Sequence, residues 1–226
     1  LETRLEADGY GNALSLRLVA DRNWNAAWEA SVTPVRVGPF LLCRSTVEVP
    51  DEHADATVLR IDPQQSFGTG HHASTRLTLR LLVDALSPGD TVVDVGVGTG
   101  VLAIAACHLG AERVLGVDTA ANAVRNARAN VEQNGVADRV TVREGSVEAV
   151  PADAEADVIA ANITLDTILD LLPALRERLA PDGDLLLAGL LTSQRDRTLE
   201  GISAHGLTAA QEGSEDGWWA VRCRPA

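Results

Sequence analysis

The 226-residue sequence contains no lysine and no methionine, and aromatic residues make up only 3% of it. Acidic residues outnumber basic ones by 32 to 19, which gives a net charge of −13. Nucleic-acid binding needs a basic surface for phosphate contacts, so this charge argues against nucleic acid as the main partner. A negative surface either keeps a protein soluble or attracts a basic partner, and composition leaves both alternatives open.

Cysteine is also scarce. Cys43, Cys107 and Cys223 are far apart, and no pair of them has the spacing of a metal site. An odd number of widely spaced cysteines is typical of a reducing compartment, so we expect a cytoplasmic protein. The sequence has no apolar run of transmembrane length, and its polar first residues do not resemble a signal peptide. We therefore expect no membrane partner.

The sequence is organised around residues 91–118, TVVDVGVGTGVLAIAACHLGAERVLGVD. A short apolar run at 91–95 predicts a buried strand, and an Ala- and Leu-rich run at 101–109 predicts a helix that ends at Gly110. A second β-branched run at 113–117 leads to Asp118. Strand, glycine turn, helix, strand and acid make half of a nucleotide-binding βαβαβ unit, in which Asp118 would accept hydrogen bonds from ribose hydroxyls.

The spacing of the glycines predicts which nucleotide binds. The turn contains Gly96, Gly98 and Gly100. The dinucleotide pattern G-x-G-x-x-G needs a glycine where Val101 stands. Asp94, two residues before the turn, would repel a pyrophosphate and suits a cationic ligand. S-adenosylmethionine carries a sulfonium, an ammonium and no phosphate, so we predict that it is the cofactor, although glycine turns without a ligand are common.

A glycine-containing loop precedes the next helix. Residues 61–75, IDPQQSFGTGHHAST, lead into an amphipathic pattern that predicts a helix to about residue 86. Adjacent His71 and His72 cannot share one helical face, so we do not predict a metal site. The composition favours a loop that folds over the ligand, with Phe67 as its aromatic residue and Gly68 and Gly70 as hinges.

Strand and helix patterns continue to alternate after Asp118, which predicts an α/β fold with a parallel sheet and helices on both faces. The predicted helices are 121–134, 166–179 and 193–205, and the predicted strands are 139–142, 157–161 and 184–191. A turn is predicted at 181–183, and 207–211 with 218–222 read as a closing pair.

The N-terminal quarter reads as a separate extension. Residues 13–19 predict a strand, residues 21–30 a helix with Trp24 and Trp28 on one packing face, and residues 34–46 two strands about a turn at Gly38. A polar, acidic connection at 50–56 is the predicted boundary. We therefore predict an extension and linker at 1–56 and the main domain at 57–226.

Asn162 follows the strand predicted at 157–161, at the same sheet edge as Gly96 and Asp118. Ligands of open α/β sheets bind at this carboxyl edge. An amide both donates and accepts hydrogen bonds, which suits an amine or a cofactor. Asparagine is equally common as the N-cap of a following helix, and the sequence leaves both roles open.

These residues resemble the ribosomal protein L11 methyltransferase family. The resemblance rests on FGTGHHASTRLTL, VVDVGVGTGVLAIAACHLGA, GVD, VIAANI and LAPDGDLLLAGLL, with DRNWNAAW and PVRVGPFLL before them. It implies the seven-stranded, Rossmann-like fold of S-adenosylmethionine-dependent methyltransferases. It also implies N-methylation of amino groups, with Asn162 and Phe67 next to the reaction. The residues predicted to bind the cofactor are Phe67, Gly68, Thr75, Asp94, Gly96, Gly98, Gly100, Asp118 and Asn162.

Two departures from the family pattern bear on the substrate and on the ribose. Family members carry an N-terminal ferredoxin-like domain that docks the ribosomal protein, whereas about 20 residues precede DRNW here. The family's second acid is also absent, because Thr119 follows Asp118. The substrate thus stays open between an L11-like protein, which we expect to be methylated weakly, and a small-molecule amine. A binding protein without turnover is the third alternative.

Overall fold

The computed structural model describes residues 33–49, 51–64 and 66–226. The elements described below belong to the unit Val32–Ala226. The strand predicted at 13–19 and the helix predicted at 21–30, with Trp24 and Trp28, lie outside the described residues. Among the helices of the described part, none is long and apolar enough to cross a membrane.

A small three-stranded sheet comes first in the chain. Strand β1 (Val35–Val37) pairs antiparallel with β2 (Phe40–Cys43), and β2 pairs parallel with β3 (Thr57–Arg60). The β1–β2 hairpin confirms the predicted turn at Gly38, whereas β3 was not predicted. This sheet joins strands from both sides of the boundary predicted at residue 56, and that boundary stays a prediction.

A seven-stranded sheet forms the centre of this unit, as the family resemblance implies. Its strands in chain order are β4 (Thr91–Val95), β5 (Arg113–Asp118), β6 (Val140–Glu144), β7 (Ala156–Asn162), β8 (Leu179–Leu191), β9 (Leu207–Glu215) and β10 (Trp218–Pro225). Their spatial order is β6-β5-β4-β7-β8-β10-β9. The first five are parallel, and β10 runs antiparallel to both β8 and β9. The predicted closing pair is therefore a hairpin at one end of the sheet.

Helices cover both faces of this sheet. They are α1 (Ala73–Ala85), α2 (Val101–His108), α3 (Ala121–Gln133), α4 (Leu165–Arg178) and α5 (Arg195–Ala204). One core cluster joins α1, α2 and α3 to strand residues such as Val92, and the other joins α4 and α5 to residues such as Val93. Neighbouring strand residues point to opposite faces, which explains why the strands read as continuous apolar runs.

Strand β8 differs from its prediction. The sequence predicts a turn at 181–183 and a strand from residue 184, but β8 begins at Leu179. Its pairing with β7 jumps from Leu179 opposite Ala156 to Asp184 opposite Val158. Residues 181–183 therefore form an irregularity inside the strand, where turn residues loop out of the ladder.

Candidate functional site

The glycine turn has the backbone that its spacing predicts. Gly96, Gly98 and Gly100 all have positive φ, at 80°, 52° and 84°. Residues other than glycine rarely adopt this backbone conformation. The turn is tied to strand β5, because the backbone amides of Gly96 and Val97 both donate to the carbonyl of Val117, at 2.9 and 3.0 Å.

A pocket of about 470 Å³ lies at the carboxyl edge of the parallel strands. Five of the predicted site residues line it, namely Phe67, Gly96, Gly98, Asp118 and Asn162. The wall also contains residues that the sequence reasoning missed, among them Ser66, Ser146 and Thr164. Ser66 precedes Phe67 in the loop, and its hydroxyl oxygen is buried without a hydrogen-bond partner.

Asp118 ends strand β5 and is half-buried. Its two carboxylate oxygens accept hydrogen bonds from the backbone amides of Gly98, at 3.0 Å, and Ala120, at 2.9 Å. Asp118 thus fixes the glycine turn to the start of α3. Each carboxylate oxygen has a further lone pair, so Asp118 can still accept from ligand hydroxyls in the pocket.

Asn162 ends strand β7 on the other side of the pocket. Helix α4 has Thr164 as its N-cap residue, so the alternative of Asn162 as a helix cap is wrong. The side-chain oxygen of Asn162 is buried and has no hydrogen-bond partner. An unpaired buried acceptor costs free energy, which a donor group of a ligand in this pocket would recover.

The Phe67 loop, which we define as residues 66–70, is held against the glycine turn by Thr99. The Thr99 amide donates to the Phe67 carbonyl at 2.9 Å, and the Thr99 hydroxyl donates to the Gly68 carbonyl at 2.8 Å. The Phe67 side chain remains 52% exposed. Gly68 and Gly70 have φ of 110° and 87°, and their role as hinges stays a prediction.

His72 packs beside this loop. Its Nδ1 accepts from the Ser74 amide at 3.3 Å, which makes His72 the N-cap of α1. Its ring contacts the rings of Phe67 and Trp218, with centroids 5.0 and 4.3 Å away. Burial lowers the pKa of His72, and the charge of Arg76 lowers it further. His72 is therefore a neutral support for the loop.

Gly68, Thr75, Asp94 and Gly100 do not line this pocket, so their cofactor-binding roles stay predictions. Gly100 is the N-cap of α2. Thr75 is fully buried, and its hydroxyl has no hydrogen-bond partner. Asp94 is 1% exposed. Burial raises the pKa of Asp94 to about 7, the Ala103 amide opposes this increase, and the charge of Asp118 adds to it.

The charge of the pocket wall fits a cationic ligand without phosphate. Among the described residues of the wall, Asp118 is the single charged side chain, and none is basic. A pyrophosphate would find no cation here and would meet a carboxylate. Glycines that let the backbone approach, an acceptor for hydroxyls and a buried amide oxygen instead suit the sulfonium, ammonium and ribose of S-adenosylmethionine.

Known proteins resemble this chain closely. It is 37% identical over 206 residues to the ribosomal protein L11 methyltransferase of Desulfitobacterium hafniense and 38% identical over 205 residues to that of Symbiobacterium thermophilum. Each match covers 91% of this chain, and the chain spans 65% and 66% of the length of these two relatives.

A solved structure and a family model agree with this similarity. The crystal structure of the ribosomal protein L11 methylase of Lactobacillus delbrueckii subsp. bulgaricus has a TM-score of 0.78 and 26% identity, and the match covers 85% of this chain and 99% of that one. The model of the ribosomal protein L11 methyltransferase (PrmA) family matches residues 3–225. The chain therefore belongs to the ribosomal protein L11 methyltransferase (PrmA) family.

Proposed function

We propose that this protein is an S-adenosylmethionine-dependent N-methyltransferase that acts on amino groups of a ribosomal protein of the L11 type. The observation that carries the proposal is one pocket in which Asp118, the glycine turn and the unpaired oxygen of Asn162 lie beneath the Phe67 loop. Membership in the L11 methyltransferase family supports it.

The protein's task in such a reaction is alignment. S-adenosylmethionine supplies a methyl group that is already activated on a sulfonium. Asp118 would accept hydrogen bonds from the ribose hydroxyls, while the glycine turn lets the backbone approach the cofactor. Phe67 would cover the donor and exclude water. Correct placement of the two reactants alone lowers such a barrier substantially.

The acceptor amine needs to lose a proton before it can react. A lysine amine with a pKa of about 10.4 is neutral in about one part in a thousand near pH 7.4, a cost of roughly 4 kcal/mol, whereas an α-amine near 7.8 carries far less. The side-chain oxygen of Asn162 would accept a hydrogen bond from the N–H of the neutral amine. That hydrogen bond would orient the lone pair of the amine nitrogen toward the methyl group of S-adenosylmethionine.

The relatives and the net charge both support the proposed substrate class. The two relatives above are named ribosomal protein L11 methyltransferases. A net charge of −13 favours a basic protein partner over nucleic acid. No observation on the described residues favours a small-molecule amine or a binding protein without turnover.

The cellular location is part of the proposal. Cys43, Cys107 and Cys223 are all buried and unbonded. Burial raises the pKa of Cys107 to about 11 and that of Cys223 to about 12, so both thiols stay protonated and unreactive. Buried free thiols fit a reducing cytoplasm.

The test is transfer of label from S-adenosylmethionine carrying a labelled methyl group. The chain is incubated separately with purified L11 and with a panel of small amines, and Asn162→Ala serves as the active-site control. Label in L11 that the Asn162 variant reduces by about 10- to 100-fold would support the proposal. Label in small amines alone would contradict it. The rate on L11 also tests the separate prediction of weak L11 methylation.

A further inference from the structure

Three asparagines on one face of α3 and at its C-cap hold the chain that leads into the Phe67 loop. Asn126, Asn130 and Asn134 are four residues apart, so their side chains lie above one another. Asn126 donates to the Pro63 carbonyl at 2.5 Å. Asn134 accepts from the Arg60 amide at 2.8 Å and donates to the Arg60 carbonyl at 2.7 Å. These side-chain amides hydrogen-bond the backbone of Arg60 and Pro63, the two ends of residues 60–63, which we call the stem of the Phe67 loop.

Asn130 differs from Asn134 because it also reaches the glycine turn. Its side-chain oxygen accepts from the Asp62 amide at 3.1 Å. Its nitrogen donates to the carbonyls of Asp62, at 3.1 Å, and Thr99, at 2.9 Å. Thr99 in turn donates to the carbonyls of Phe67 and Gly68. The buried side-chain amide of Asn130 therefore joins residues 60–63 to the glycine turn, which in turn holds Phe67 and Gly68.

The same helix also forms part of the pocket. Asn122 and Ala123, in the first turn of α3, line it, and the Ala120 amide before the helix donates to Asp118. Asn130 lies two turns further along α3 and is 1% exposed. Helix, turn and loop thus meet at this side chain, away from the pocket itself.

We propose that Asn130 is a positioning residue of the methyl-donor pocket, whose amide fixes the glycine turn and the stem of the Phe67 loop relative to each other. The proposal rests on the proposed function for the identity of the ligand. Without the donated hydrogen bonds, the carbonyls of Thr99 and Asp62 lose their amide partner inside the protein. The turn then shifts. Its shift moves the Gly98 amide, which donates a hydrogen bond to Asp118, and the Thr99 amide, which donates to the Phe67 carbonyl.

The experiment compares Asn130→Asp with the matched control Asn134→Asp. Each substitution keeps an acceptor for the backbone amide it faces. Asn130→Asp also removes a hydrogen bond of 3.5 Å to the side-chain oxygen of Asn126. Among backbone carbonyls, Asn130→Asp removes the hydrogen bonds donated to the pair Asp62 and Thr99, and Asn134→Asp removes those donated to the pair Arg60 and Asn130. Only the first pair includes the glycine turn. Thermal unfolding measures the loss of stability that both variants share.

Two readouts separate positioning from stability. The first is hydrogen exchange of the Thr99 amide, measured by NMR in the ligand-free protein, because that amide donates to Phe67. We expect exchange about tenfold faster in Asn130→Asp and unchanged in Asn134→Asp. The second is titration calorimetry with S-adenosylhomocysteine, in which we expect about tenfold weaker binding for Asn130→Asp alone. In the methyl-transfer assay, Asn130→Asp should raise the KM for S-adenosylmethionine and leave kcat similar.

Unchanged Thr99 exchange in Asn130→Asp, or equal acceleration in both variants, would overturn the proposal. If the buried carboxylate prevents folding, Asn130→Ser and Asn134→Ser provide the same comparison without a charge. A wild-type protein that binds no S-adenosylhomocysteine would refute the proposed function. The exchange comparison would still decide the role of Asn130, since it needs no ligand.

Discussion

Asp94 and Asp118 lie on neighbouring strands of one sheet, and their surroundings give them different properties. Asp118 is half-buried, lines the pocket and accepts two backbone hydrogen bonds. Both side-chain oxygens of Asp94 are buried without a hydrogen-bond partner in standard geometry. The sequence predicts both acids as cofactor-binding residues from their spacing to the glycines. Burial gives the two carboxyl groups different pKa values and contacts, which spacing alone does not reveal, and the cofactor-binding role of Asp94 stays a prediction.

Replacement of Asp118 tests the ribose site. Asp118→Asn removes a charged acceptor, and we expect S-adenosylhomocysteine affinity to fall by about 10- to 150-fold, the equivalent of about 1.5–3 kcal/mol. Asp157→Asn is the matched control, because Asp157 accepts from the Thr91 amide at 2.7 Å at the opposite edge of the sheet. Calorimetry on both variants checks this. Equal affinities of wild type and Asp118→Asn would show that the ribose binds elsewhere.

The buried carboxyl of Asp94 predicts a pH dependence of stability. Its pKa rises from the usual 3.8 to about 7, so between these values the folded protein holds a proton that the unfolded chain releases. Stability contributed by this group therefore falls as pH rises from about 4 to 7.

Asp94→Asn removes that dependence. From pH 5 to pH 8 the variant should gain about 2.5 kcal/mol in unfolding free energy relative to wild type. Urea unfolding of both proteins at the two pH values measures the difference, and other titrating groups cancel in the comparison. A difference that does not change with pH would contradict the raised pKa.

Among the elements, the glycine turn and the Phe67 loop depend on each other. A Cβ on Gly98 would lie 2.5 Å from the Phe67 carbonyl oxygen, in addition to the strain of a φ of 52°. Gly135, beyond the end of α3, has a φ of 68°, but a Cβ there would meet nothing within 4 Å. The two glycines therefore separate the cost of backbone strain from the cost of the clash.

Alanine substitutions at these two glycines test the contact. Gly135→Ala should lose about 1 kcal/mol of stability from its backbone conformation and keep its affinity for S-adenosylhomocysteine. Gly98→Ala should lose more stability and at least about tenfold in affinity, because the loop must move away from the turn. Chemical unfolding and calorimetry measure both quantities. Equal affinities of the two variants would mean that the loop does not support the pocket.

Elements whose signal is local were predictable from the sequence, and those that depend on distant partners were not. Strand β4, helix α2 and strand β5 follow from one continuous pattern of apolar residues and glycines. Strand β3 has only four residues and is defined by its pairing with β2. Thr99 and Asn130 were missed for the same reason, because Asn130 contacts Asp62, 68 positions away in the sequence.

For the fold as a whole, the alternation of strands and helices predicts a parallel sheet with two covered faces, and the family resemblance predicts its seven strands. That sheet brings the ends of β4, β5 and β7 to one edge, which is why Gly96, Asp118 and Asn162 meet although the sequence separates them. Motif spacing predicted Gly96 and Asp118, whereas Asn162 was predicted from its position after a strand and from the family resemblance. The details of the wall, such as the unpaired hydroxyl of Ser66, depend on the path of the loop, which local patterns do not specify.

We infer that this pocket holds S-adenosylmethionine and excludes phosphate-bearing dinucleotides. Titration calorimetry of the full chain with S-adenosylhomocysteine and, separately, with NAD tests this inference. We expect one S-adenosylhomocysteine to bind per chain. NAD should give no measurable binding and should not compete with S-adenosylhomocysteine, because the described residues that line the pocket include Asp118 and no basic side chain. Tighter binding of NAD than of S-adenosylhomocysteine would contradict the account.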